Sequence, residues 1–173
     1  CLWEIGQPGQ DIRDQRRADL RSSGTHKLTP LPFLSPGRGG NELGWLGNYR
    51  VLKVLGEGGM GLVLAAEDAY LERPVALKVM KSEVANMPDA KQRFLREAMS
   101  MAQLKSAHVV TVHQVGEIND TCFIAMELLE GETLESYLLR EAPDLKEALR
   151  IAKEIAQALR AAHQKGLIHR DIK

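Results

Sequence analysis

The sequence predicts an α+β fold built on a twisted antiparallel sheet. Three observations carry this expectation. Two β-patterned runs, YRVLKVL and GLVLAAED, flank the glycine cluster GEGGMG. Along the chain the elements run strands, helix, strands, helix. No self-similarity recurs at a solenoid period. A sheet of about five strands with one helix packed on it is expected, followed by further helices.

Taken in order, residues 1–47 read as a flexible tail. GQPGQ, RSSGTHKLTPLP and LSPGRGGNELG are rich in Gly, Pro and Ser and carry little apolar periodicity. DIRDQRRADLR reads as a solvated charged segment. From Tyr49 the composition changes, and the two strands around the glycine cluster are followed by a third, RPVALKVM. Residues 89–105 have a helical period. HVVTVHQVGEI and TCFIAMELL read as a strand pair joined at NDT. A long helix follows, with Asp144 as N-cap, Glu147 three residues on, and Ala148, Ile151, Ala152, Ile155, Leu159 and Ala162 on one face. Gly166 stands where that helix should stop.

Composition narrows the function classes. Of 173 residues, 44% are apolar and 27% charged, ordinary values for a globular chain. The 23 basic and 23 acidic side chains cancel, which argues against a nucleic-acid partner. The two cysteines, Cys1 and Cys122, cannot make a disulfide framework, so a reducing, cytoplasmic setting is expected. The longest apolar run is about that of CFIAM, well short of the ~18 residues of a membrane span. The first residues lack a hydrophobic signal region and a starting Met, so a piece of a longer protein is expected. His108, His113 and His163 have no Cys or carboxylate partner at metal spacing, and no metal ligand is assigned.

Within GEGGMG, Gly56, Gly58 and Gly61 keep a G-x-G-x-x-G spacing. Glycine serves phosphate binding because a chain without Cβ can lay its N–H groups against the oxygens. A Walker loop needs Lys-Ser/Thr after its last glycine, and Leu62 and Val63 stand there instead. A dinucleotide fold needs a helix next, and a β-patterned run follows. A glycine loop between antiparallel strands remains, with a plain hairpin as the bland alternative.

Lys78 lies among apolar neighbours in VALKVM, where a lysine ordinarily snorkels to water. At ~100° per residue, Phe94, Leu95, Ala98, Met101, Ala102 and Leu104 form one apolar arc, and Glu97 falls within it. A carboxylate on an inward face is costly without a cation. Each residue accounts for the other.

Glycine loop, lysine and glutamate in this order, closed by HRDIK, resemble the protein kinase family from about Tyr49 to Lys173. The resemblance implies a complete N-lobe over 48–127, then a hinge and the start of a helical C-lobe over 128–173. It makes Gly56, Glu57, Gly58, Gly59, Met60 and Gly61 a lid over ATP, with Val63 and Ala76 against the adenine. Lys78 would bind the α- and β-phosphates, held in place by Glu97. Met126 would be the gatekeeper before the hinge, where the Glu127 carbonyl and the Leu129 amide would bond the adenine edge. Asp171 resembles the catalytic base, and Arg170 before it suggests control by activation-loop phosphorylation. Lys173, two residues after the aspartate, is typical of serine/threonine kinases, and the glycine loop resembles bacterial members.

The resemblance implies ATP and Mg²⁺ as cofactors and Ser/Thr-containing proteins as substrates. The 173 residues lack the Asn expected five positions after Asp171, the Asp-Phe-Gly metal ligand and the activation segment. The expectation is a serine/threonine kinase as a whole, with the 173 residues inactive by themselves. The alternative is a pseudokinase or nucleotide-binding regulatory module.

Overall fold

A computed structural model describes residues 31–37, 39, 41–59, 61–87 and 89–168. Six antiparallel strands form one sheet in the order β1-β2-β3-β4-β6-β5. They are β1 (Gly44–Leu46), β2 (Tyr49–Glu57), β3 (Gly61–Asp68), β4 (Arg73–Met80), β5 (Val112–Ile118) and β6 (Thr121–Glu127). Between β4 and β5 lie a single turn, α1 (Ser82–Ala85), and the longer α2 (Ala90–Ala102). After the sheet come α3 (Leu134–Arg140) and α4 (Leu145–His163).

The sheet is buried on both faces, which explains why β4 reads as a nearly continuous apolar run. Val75, Leu77 and Val79 join one core cluster with Tyr49, Leu64 and Phe123. Ala76 and Met80, alternating with them, join a second cluster with Phe94 and Ala98 of α2 and with Ile124 and Met126 of β6. The chain is thus layered: α2 covers one face and an N-terminal segment covers the other.

That segment corrects the reading of 1–47 as a tail. Leu31, Phe33, Leu34 and Leu43 pack against the first cluster. Ser35 and Trp45 exchange backbone hydrogen bonds of 2.8 and 2.9 Å, and the Leu43 N–H donates to the Val51 carbonyl at 2.8 Å. Strand β1 pairs with β2 and makes six strands where about five were expected. The segment has no period because it is a strap, whose apolar residues meet the sheet wherever its turns allow. Residues 1–30, including the charged DIRDQRRADLR, lie outside the described residues.

The sheet is curled as well as twisted. Register shifts in β2, between Val51 and Lys53 and between Val54 and Gly56, bend that strand. The ring of Tyr49 on β2 meets Phe123 on β6 edge-on, with centroids 5.6 Å apart, although β3 and β4 lie between those strands.

Helix ends follow the sequence signals. The Asp144 carboxylate accepts from the Glu147 N–H at 2.7 Å and caps α4. Glu147 itself turns to Arg150 instead of closing a capping box. Gly166 takes φ +73, and the Leu167 N–H reaches back to the Ala162 carbonyl at 3.0 Å, ending the helix. No helix among the described residues is long and apolar enough to cross a membrane.

Candidate nucleotide site

The glycine loop connects β2 to β3 as expected, and its tip is closed by the Gly58 N–H donating to the Gly61 carbonyl at 2.9 Å. The glycines divide into two kinds. At Gly61 a Cβ would stand 2.1 Å from the Val79 carbonyl oxygen, so β4 itself demands glycine there. At Gly56, Gly58 and Gly59 a Cβ would meet nothing within 4 Å, and none of the three has a positive φ. Neither packing nor backbone conformation accounts for these three. A ligand laid against the bare backbone would.

Below the loop the register aligns the candidate residues in two rows. Gly56 pairs with Val63, Val63 with Lys78, and Lys78 with Ile124. Ala65 pairs with Ala76, and Ala76 with Met126. Ala76 and Met126 are both buried in the cluster that faces α2, with Val63 and Leu128 packed against it. Lys78 is part-buried on β4, and among the described residues its side chain has no ion-pair or hydrogen-bond partner. The structure therefore brings together Val63, Ala76, Lys78 and Met126, which the sequence scatters over more than sixty residues.

At the end of β6, Glu127 is exposed and its N–H donates to the Thr111 carbonyl at 2.9 Å. Its carboxylate accepts from the Thr111 N–H at 3.4 Å, which ties the start of the connecting segment to β5. Thr111 was not a candidate from sequence, because an exposed Thr at a strand start carries no signal of its own. The Leu129 N–H has no backbone acceptor among the described residues and is available to a ligand. Nearby, His113 is held below the usual histidine range, chiefly by burial and then by the Arg73 guanidinium, with Glu127 and Asp68 acting the other way.

Glu97 departs from the expectation. It is exposed on α2 and makes no ion pair with Lys78. The helix turns Ala90, Phe94 and Ala98 inward, a strict i, i+4, i+8 line. Glu97 lies beside that line, at the edge of the arc, where rotation of the helix decides its exposure. On the far side of the line, Lys91 pairs with Glu117 of β5 at 2.5 Å. Met60, Asp171 and Lys173 lie outside the described residues.

A curled antiparallel sheet with an open glycine loop on its first long hairpin and a lone lysine beneath it has the architecture of a kinase nucleotide lobe. The chain belongs to the protein kinase family: the family model for the protein kinase domain matches residues 49–173. The chain is 42% identical over 128 residues to the serine/threonine-protein kinase PrkC of Bacillus subtilis, covering 73% of this chain and 20% of PrkC. It is 41% identical to the serine/threonine-protein kinase PknE of Mycobacterium bovis, covering 73% of this chain and 23% of that protein. Among solved structures, the PknI kinase domain of Mycobacterium tuberculosis superposes with a TM-score of 0.63 at 32% identity, covering 73% of this chain and 52% of that one. The chain thus spans only about a fifth of these curated relatives.

Proposed function

We propose that the protein transfers the γ-phosphate of ATP to Ser or Thr hydroxyls of other proteins. The observation that carries this reading is the set of three glycines with no internal reason to be glycine, the first of which, Gly56, is in register with Val63 and, across it, Lys78. In this reading the adenine lies against Val63 and Ala76, with Met126 at the back of its pocket. The Glu127 carbonyl and Leu129 N–H bond its edge, the glycine loop covers the phosphates, and Lys78 binds them through its charge. Asp171 orients the acceptor hydroxyl, and Lys173 approaches the γ-phosphate. Glu97 takes up Lys78 when α2 rotates its edge inward. Mg²⁺, when bound, neutralises phosphate charge. The described residues hold no cluster of three or more His, Cys, Asp or Glu able to bind a metal, so its ligands are assigned outside them.

The 173 residues contain no Asp-Phe-Gly sequence, and by themselves they are proposed to hold nucleotide weakly and to transfer nothing. The setting proposed is cytoplasmic, with ATP and protein substrates as partners and no nucleic acid.

The test is incubation of the full-length protein with labelled ATP, Mg²⁺ and a generic protein substrate, followed by phosphoamino-acid analysis. Phosphoserine or phosphothreonine that disappears in Asp171→Asn supports the reading, whereas phosphotyrosine alone rejects it. A second reading, a nucleotide-binding module without transfer, is favoured by the unpaired Lys78 and Glu97. It predicts nucleotide binding with no labelled product from either the unsubstituted protein or Asp171→Asn.

A further inference from the structure

Among residues 56–59 only Glu57 carries a side chain beyond hydrogen, so any side-chain restraint on this stretch of the loop runs through it. Its carboxylate forms an ion pair with the Lys81 ammonium at 2.5 Å. Lys81 directly follows β4 and stands three residues beyond Lys78. In register, Glu57 is opposite Leu62 and Gly61 is opposite Met80. The pair therefore joins the loop ends of β2 and β4 across β3, at the place where Gly61 lets β3 lie close against β4.

We propose that Lys81 is a positioning residue for the glycine loop: its pair with Glu57 holds the loop tip towards the end of β4, where the phosphates of a bound nucleotide would lie. The nucleotide part of this proposal rests on the kinase reading above, while the restraint on the loop does not. A stretch with three glycines in four residues has a large backbone entropy to lose on closing over a ligand. A restraint already present in the free protein lowers that loss, so nucleotide binds to a loop that is partly organised. The pair also occupies the charge of Lys81, leaving Lys78 as the unpaired cation under the loop. Both partners are partly exposed, with side chains 29% and 62% accessible, so the restraint is modest and sensitive to salt.

The experiment is a double-mutant cycle in the full-length protein with Glu57→Gln, Lys81→Gln and both together. Two readouts are taken: amide exchange of residues 56–61 without nucleotide, and the KM for ATP. Each single variant is expected to speed exchange in the loop and raise KM by about threefold, the size an exposed pair carries. The double variant should go no further than either single one, and 0.5 M salt should bring the wild type to their level. Lys81→Arg should keep wild-type exchange and KM. Arg50→Gln, which breaks the part-buried Arg50–Glu67 pair elsewhere, should also leave both unchanged. Additive singles, unchanged exchange in either single variant, or a Lys81→Arg as impaired as Lys81→Gln would overturn the proposal. Faster loop exchange in a protein that binds no ATP would uphold the restraint and reject the kinase reading instead.

Discussion

Tyr49 at the start of β2 donates its hydroxyl to the Gln114 side-chain carbonyl on β5 at 2.5 Å, across a sheet in which three strands lie between them. The contact exists only because the sheet curls, and with the Tyr49–Phe123 ring pair it fixes that curl. Tyr49→Phe keeps the ring and should cost about 0.5–1.5 kcal/mol. Tyr49→Ala should cost about 3–5 kcal/mol, because a fully buried aromatic leaves a cavity. Urea denaturation of both variants checks the ratio.

The strap makes a second prediction. Phe33 is partly buried against the outer face of the sheet, so Phe33→Ser should destabilise the domain by about 1–2 kcal/mol. Chains starting at residue 48 should bind a hydrophobic dye that chains starting at residue 31 do not, since Val51, Leu64 and Leu77 lose their cover. Equal dye binding by the two chains would mean that the strap contributes nothing to the core.

The two kinds of glycine should respond in opposite ways to alanine. Gly58→Ala meets open space and should leave stability unchanged or raise it by up to about 1 kcal/mol. Its ligand affinity should fall, because the added methyl group stands where nucleotide approaches. Gly61→Ala drives a Cβ into the Val79 carbonyl and should destabilise by about 1–3 kcal/mol. Thermal melts with and without ATP separate the two effects.

Lys78→Met should abolish phosphoryl transfer in the full-length protein, by at least about a hundredfold, since the charge that meets the phosphates is gone. Its stability should change far less than in Leu77→Ala, whose truncation of a fully buried side chain costs about 2–5 kcal/mol. A near-wild-type kcat in Lys78→Met would show that the lysine has another role.

A pH dependence follows from His113. Its folded-state pKa lies below its unfolded value, so the unfolded chain binds more protons in the acid range. The stability contributed by neutral His113 is complete above the ordinary histidine value of about 6.5. It is lost as pH falls through the lower folded-state value. His113→Gln should flatten this part of the stability profile, as measured by urea midpoints from pH 8 to pH 5.

The sequence by itself determined the elements and the chemistry of the loop. Short β-patterned runs bounded by turn residues placed β2, β3, β4, β5 and β6, and local signals placed the ends of α4, because caps and turns are decided within a few residues. The glycine spacing and the place of Lys78 among apolar neighbours in VALKVM were legible for the same reason. Only the tertiary structure decided three other things. It showed that Leu31, Phe33, Leu34 and Leu43 belong to a strap, since irregular chain buries apolar residues without a period. It showed why each glycine is glycine, since Gly61 answers to β4 while Gly56, Gly58 and Gly59 answer to nothing in the fold. And it left Glu97 outside, because a residue at the edge of an apolar arc is turned in or out by the rotation of its helix, which Phe94, Ala98 and the Lys91–Glu117 pair set together.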